Sequence, residues 1–212
     1  MAYGFLDIAS TQSVQAAQAA NGSAEYWSGF QGSRAFGRLT DAEVAFIRSR
    51  DSFYMATVSE NSWPYVQHRG GPPGFLHILD DRTMAFADYR GNRQYISVGN
   101  LAANDRAALI FMDYPGRRRL KMYGHVEACS LVDHPELAER LAIPGYRAKA
   151  ERALLVHLKA FDWNCPQHIT PRFSEPELAD ALAPVRQRVV ELEAENKRLR
   201  QQLAGGTVGP AT

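Results

Sequence analysis

The sequence predicts a mainly β protein with flanking helices, an α+β fold whose chain ends in a coiled-coil helix. Two observations predict this class. Between Phe53 and Gly124, short apolar runs are each closed by Gly, Asp, Asn or Pro, which is typical of an antiparallel sheet or barrel. From Leu182 to Leu203, apolar residues recur every seven positions, which is typical of a coiled coil.

Length and composition are compatible with this fold class. The 212 residues suffice for one sizeable domain with appendages, and 45% hydrophobic with 22% charged residues is ordinary for a globular protein. The net charge of +1 gives no bulk basicity that would attract nucleic acid. No apolar run approaches the roughly 20 residues of a membrane span, and no secretory signal opens the chain. We therefore expect a cytoplasmic protein without nucleic-acid or membrane partners.

The first 38 residues are rich in Ala, Gln, Gly and Ser, and we interpret residues 1–38 as an N-terminal arm that wraps the domain. Within it, Thr11–Ala20 is compatible with a helix ended by Asn21 and Gly22.

A second helix is predicted directly after the arm. Thr40 and Glu43 have the spacing of a capping box, which predicts a helix from there to about Arg50.

Residues 39–172 are predicted to form the main domain, built from strands that follow one another closely. A helix is expected at 133–141, and an aromatic- and proline-rich loop at 161–172. The predicted strands are Phe53–Val58, Trp63–His68, Phe75–Leu79, Thr83–Ala87, Ala107–Met112, Leu120–Leu131 and Ala153–Leu158.

The tail, residues 173–204, is predicted to be a coiled-coil helix, followed by a disordered segment at 205–212. In a parallel pair, Arg188 would meet Glu193, and Glu195 would meet Arg200. The alternative is a single amphipathic helix that lies on its own domain. The a positions of the seam are Leu182, Val189, Asn196 and Leu203, and its d positions are Val185, Leu192 and Leu199.

Two segments are candidates for binding an anionic, planar ligand. In the first, Gln67, His68 and Arg69 precede the glycines that begin at Gly70, so a strand end would present polar groups beside bare main chain. The other interpretation is a glycine-rich hairpin with a solvated arginine.

Asp88 to Gln94 is the second segment, and Gly91 within it permits a sharp turn. Asn92 is predicted to be the N-cap of a helix, which would put Arg93 in the first helical turn, where a bound phosphate would offset its unfavourable position. An ordinary capped turn is the alternative. No histidine, cysteine or carboxylate spacing indicates a metal site, and none of the common nucleotide or hydrolase motifs occurs.

The residues from Thr40 to Trp163 resemble the pyridoxamine 5'-phosphate oxidase-like family of FMN-binding split barrels. The resemblance implies a split β-barrel with FMN at a homodimer interface and its phosphate held after Ala87 by Arg93. Gln94 stands where the family commonly has Lys, and Arg119 stands at a flavin-contacting position from which it would supply the missing charge across the dimer. The most specific matches are Ala85–Asp88, Gly91–Arg93, Asn100–Leu101, Ala107–Phe111 and Arg118–Gly124.

The resemblance also implies roles for other residues. The loop at His68 and Arg69 is similar to that of FMN-binding relatives of unassigned substrate, and Trp163 parallels a late aromatic residue near the flavin. The implied function is a dimeric FMN-dependent oxidoreductase acting on a small molecule, with no catalytic side chain identified. The alternatives are a flavin- or haem-binding module without turnover, and a deazaflavin-dependent reductase.

Overall fold

A computed structural model describes residues 4–28, 37–164 and 166–205. The chain forms two compact units, 1–169 and 170–212. Residues 1–3 and 29–36 of the predicted arm lie outside the described residues, and so does the predicted disordered segment 205–212, except for Gly205, which ends the last helix.

The first unit is built on one seven-stranded sheet in which all neighbouring strands are antiparallel. The strand order is β2-β1-β5-β6-β7-β4-β3, which confirms the predicted mainly β class of split-barrel type. The strands are β1 (Ser52–Val58), β2 (Pro64–Gly70), β3 (His77–Ile78), β4 (Thr83–Tyr89), β5 (Arg106–Asp113), β6 (Arg118–Ser130) and β7 (Ala150–Asn164).

Seven helices are found in the described residues. The Thr11 hydroxyl caps α2 by accepting a hydrogen bond from the Val14 N–H, a role for which Thr is a preferred residue type. In α1, Phe5 stacks on Tyr123 of the sheet with ring centroids 4.5 Å apart, which ties this part of the arm to β6. The helices are α1 (Phe5–Ala9), α2 (Gln12–Ala20), α3 (Ala24–Ser28), α4 (Asp41–Arg48), α5 (Ile96–Ala103), α6 (Pro135–Leu141) and α7 (Glu175–Gly205).

The predicted loop at 161–172 is wrong over its first four residues, because β7 extends to residue 164. Trp163 pairs with Leu120, so the end of β7 continues the ladder with β6. This pairing is decided by a strand about 40 residues away, and the local composition of prolines and aromatic residues gives no sign of it.

The aromatic core is centred on Phe53, which is almost fully buried. Its ring stacks on Phe111 at 5.0 Å and meets Phe86 edge-on at 5.1 Å between centroids. These side chains come from β1, β5 and β4, so the core joins three strands of the sheet.

The capping box predicted at Thr40 and Glu43 is confirmed at the start of α4. Glu43 accepts from the Thr40 N–H at 2.9 Å, and its other carboxylate oxygen accepts from Trp163 Nε1 at 2.7 Å. Burial by itself would raise the pKa of Glu43, but the hydrogen bonds from Thr40 and Trp163 lower this pKa below its usual value.

We expect Glu43 to make stability fall in acid. Because its folded-state pKa lies below the unfolded value of about 4.5, the ionised group stabilises the fold above that pH, and this stabilisation is lost as the pH falls through the folded value. Denaturant unfolding at pH values from 6 to 3 checks this. Glu43→Gln should lose less stability over that interval than the native chain, and equal losses would contradict the role given to Glu43.

Candidate functional site

A cavity of about 200 Å³ lies where β2, the end of β4 and the start of α5 meet, and we call it the β2–α5 cavity. Six of the ten residues predicted to bind a cofactor line it, and they come from both of the segments predicted from the sequence. These residues are Gln67, Arg69, Asp88, Asn92, Arg93 and Gln94.

Alternation along β2 decides which of its side chains reach the cavity. Gln67 and Arg69 are two residues apart, so they lie on the same face of the strand, and both line the cavity. His68 lies on the opposite face, where its ring meets Tyr54 edge-on at 5.5 Å. The sheet thus separates His68 from the two neighbours with which it was grouped in the sequence.

The predicted helix N-cap at Asn92 is wrong, because α5 begins four residues later at Ile96. Asn92 Oδ1 instead accepts from the Gln94 N–H at 3.1 Å, which is the geometry of an Asx turn. Arg93 and Tyr95 then adopt positive φ angles of 63° and 53°, a conformation that non-glycine residues adopt rarely. This irregular turn places Arg93 before the helix and not within it.

Arg93 is exposed, and within the described part of the chain it has no ion-pair partner. The turn therefore presents a guanidinium group to the cavity that no carboxylate neutralises. An arginine in this state suits a planar or tetrahedral anion, with which it forms charge-assisted hydrogen bonds.

The N-terminal end of α5 lines the same cavity through Ile96, Ser97 and Val98. The first N–H groups of a helix have no intrahelical partner, and no side chain caps this end at Tyr95. Ser97 Oγ donates to Gln67 Oε1 at 2.8 Å, which fixes the orientation of that amide. The end of α5 is therefore suited to an anion beside Arg93.

Asp88 anchors two arginines at the wall of the cavity. One carboxylate oxygen accepts from Arg69 and the other from Arg152, the latter at 2.8 Å. The three side chains are only 8%, 12% and 21% exposed for Asp88, Arg69 and Arg152 respectively. Arg69 Nε is buried without a hydrogen-bond partner in the described residues, so Arg69 keeps one donor that a ligand would satisfy.

Arg152 and Glu151 were not found from the sequence. Arg152 is paired with Asp88 across the β4–β7 ladder, and Glu151 lines the cavity. Glu151 accepts from Tyr95 at 3.2 Å and pairs with Arg90, also at 3.2 Å. Both residues lie in a strand about 60 residues from the turn that they support, so only the strand register reveals them.

Three other predicted residues do not line the cavity. Gly70 ends β2, and a Cβ there would come within 3.3 Å of the Asp51 carbonyl oxygen. Arg119 is the second residue of β6, and its Nε is buried and unpartnered in the described residues. Trp163 packs against Phe46 with ring centroids 4.7 Å apart. The binding roles of these residues stay predictions.

The cavity offers no free acid or base among its described lining residues. Asp88 and Glu151 are both held by arginines. Burial, with a contribution from Tyr146, raises the pKa of Tyr89 above its usual value, so this phenol stays protonated at neutral pH. The lining is therefore suited to binding and orienting an anionic ligand more than to proton transfer.

Other site classes find no support in the described residues. Nowhere in ranges 4–28, 37–164 and 166–205 do three His, Cys, Asp or Glu side chains converge as a metal would require. No helix within those ranges combines the length and apolar character of a membrane span.

Several solved structures are similar to the chain. A candidate pyridoxamine 5'-phosphate oxidase from Lactobacillus delbrueckii has a TM-score of 0.47 and 16% identity over 60% of this chain and 96% of its own. Protein Rv2991 from Mycobacterium tuberculosis has a TM-score of 0.46 and 14% identity over 68% of this chain and 96% of its own. An FMN-binding protein from Syntrophomonas wolfei has a TM-score of 0.45 and 13% identity over 69% of this chain and 97% of its own.

The family assignment comes from the sequence of the main domain. A search of curated proteins found no match. The family model described as pyridoxamine 5'-phosphate oxidase matches residues 39–160, more than half of the 212 residues and the segment that contains the whole β2–α5 cavity. The chain therefore belongs to the pyridoxamine 5'-phosphate oxidase family.

Proposed function

We propose that the protein is an FMN-binding flavoprotein and an oxidoreductase that acts on a small molecule, with its flavin at a homodimer interface. The observation that carries this proposal is the β2–α5 cavity, in which an unpaired arginine and an uncapped helix end face the same space. Membership of the pyridoxamine 5'-phosphate oxidase family supports a flavin as the ligand.

The residues present fit a flavin phosphate. Arg93 provides a cation without a protein partner among the described residues, and the first N–H groups of α5 provide donors beside it. Elsewhere in the lining, Gln67 is oriented by Ser97 and Arg69 retains a buried, unused Nε–H. These planar amide and guanidinium groups suit the heteroatom edge of a flavin ring.

The size of the cavity supports a site shared by two copies. Its volume of about 200 Å³ is below the roughly 300–1,000 Å³ typical of sites for cofactor-sized ligands. A second copy would add the missing wall. We assign Arg119 to that wall, because the family resemblance gives it a flavin-contacting position and it lies outside the cavity of its own chain.

A bound flavin would supply the hydride or electron transfer that amino-acid side chains do not perform. The residues of this chain would then bind and orient it. Asp88 keeps Arg69 in place, Ser97 keeps Gln67 in place, and Arg93 holds the phosphate. Because neither lining carboxylate is free, no side chain of the described lining is given the role of general acid or base.

That lack of a free acid or base also favours a second candidate, a flavin-binding module without turnover. A deazaflavin-dependent reductase is a further alternative that the same cavity chemistry admits. FMN and a deazaflavin differ in mass, and catalytic turnover distinguishes an enzyme from a binding module.

The test is to purify the native chain, identify the copurifying small molecule by mass spectrometry and record its visible spectrum. We expect the mass of FMN, bands in the near-ultraviolet and blue, and bleaching on reduction followed by reoxidation when a small-molecule acceptor is added. A deazaflavin mass or a Soret band would contradict the FMN proposal. Bound FMN that never reoxidises with any acceptor tested would favour the binding module.

A further inference from the structure

The second unit presents an apolar stripe along one long helix. The helix α7 has 31 residues, more than four heptads, and runs through Pro184 without interruption. Pro184 falls at a c position, outside the a and d positions of the seam. The helix is thus longer than the roughly 12–15 residues below which an isolated helix is marginal in water.

The side chains at the seam positions are exposed. The aliphatic ones, which are all the seam residues except Asn196, are between 37% and 75% exposed. Leu178 extends the d positions by one heptad toward the start of the helix, which the sequence reading missed. These residues are Leu178, Leu182, Val185, Val189, Leu192, Leu199 and Leu203. A stripe of this regularity, seven residues per repeat, fits another helix with the same repeat.

The charges beside the seam identify the second helix as a copy of α7. In a parallel, in-register pair, each g residue faces the e residue five positions later on the partner. Arg188 would face Glu193 and Glu195 would face Arg200, and symmetry makes each pair occur twice. Within the described residues, neither Glu193 nor Arg200 has an ion-pair partner, so both are available.

The one polar seam residue sets the direction of the pair. In a parallel, in-register pair, Asn196 meets its own copy, and each buried amide gains a partner. In an antiparallel pair with full overlap of 178–203, the same amide would face Val185 and lie buried without one. The unsatisfied amide is costly, so the parallel arrangement is preferred.

We propose that α7 pairs with α7 of a second copy of this chain as a parallel, in-register, two-stranded coiled coil. The partner is fixed by the match of e and g charges and the direction by Asn196. This inference does not depend on the cofactor, because it uses only residues 178–203. It gives the homodimer of the proposed function a second interface. If this interface does not form, the proposed role of the β2–α5 cavity is unaffected.

Cross-linking of the full-length chain tests the pairing. Leu199→Cys places a thiol at a d position, where the two copies in a parallel, in-register pair approach within the Cα distance that a disulfide requires. Arg198→Cys places a thiol one residue away on the outer face. Under mild oxidation, we expect a covalent dimer from Leu199→Cys and at least tenfold less from Arg198→Cys.

A charge exchange tests the choice of partner. Arg188→Glu creates two Glu–Glu contacts in the pair and should slow the cross-link at position 199 about fivefold or more, while adding Glu193→Arg should restore its rate. Equal cross-linking at positions 198 and 199, or none at 199, would overturn the proposal. A rate unchanged by the single exchange, or not restored by the second, would overturn the pairing of Arg188 with Glu193.

Discussion

Asp88→Asn should lower the free energy of unfolding by about 3–5 kcal/mol, the usual cost of removing one partner from a buried ion pair. The carboxylate holds Arg69 and Arg152, and all three side chains are mostly buried. The substitution preserves the shape of Asp88 but removes its charge, so the buried guanidinium group of Arg69 loses its counter-charge and Arg152 keeps only Glu151, at 3.5 Å. Denaturant unfolding at neutral pH measures the loss.

Asp162→Asn is the matched control for this prediction. Asp162 pairs with Lys121 at 2.9 Å on the sheet surface, where both side chains are about one-third exposed. Removing that pair should cost no more than about 1 kcal/mol. If Asp88→Asn and Asp162→Asn cost the same, Asp88 is not the anchor of the cavity wall.

The second prediction concerns the ligand. Arg93→Ala should weaken FMN binding about tenfold to 150-fold, since a charge-assisted hydrogen bond contributes about 1.5–3 kcal/mol. The protein should lose little stability, because Arg93 is exposed and has no ion-pair partner among the described residues. Titration of the apoprotein followed by flavin fluorescence gives the dissociation constant.

Riboflavin is the matched ligand control, because it has the ring system of FMN without the phosphate. Arg93→Ala should leave riboflavin affinity nearly unchanged, so the ratio of the two affinities should collapse toward one. Arg82→Ala removes an exposed arginine that lies outside the β2–α5 cavity and should leave both affinities as they are. A ratio unchanged by Arg93→Ala would exclude Arg93 as the phosphate ligand.

Local signals determined much of the fold. The capping box at Thr40 and Glu43 is a contact between residues three apart, so it was readable from the sequence and is present in the structure. The strand β1, predicted as Phe53–Val58, forms at Ser52–Val58 because its apolar run is buried on one side. The heptads of α7 are equally local, although the coiled coil itself stays a proposal.

The cavity was only partly predictable from the sequence. Gln67 and Arg69 line the same wall of the cavity and His68 does not, although the sequence groups all three. The sequence of β2 alone does not specify which of its two faces lies toward the cavity. Asn92 was misread as an N-cap, because an Asx turn and an N-cap use the same side-chain oxygen two residues from a backbone N–H.

The sequence by itself determined which segments carry residue types suited to an anionic ligand. It also determined most of the strands and helices, since these depend on neighbours within a few positions. Only the tertiary structure decided that Arg152 and Glu151 support the site and that Trp163 belongs to a strand. The physical reason is register: antiparallel pairing joins residues tens of positions apart, and no local pattern specifies which residue lies opposite which.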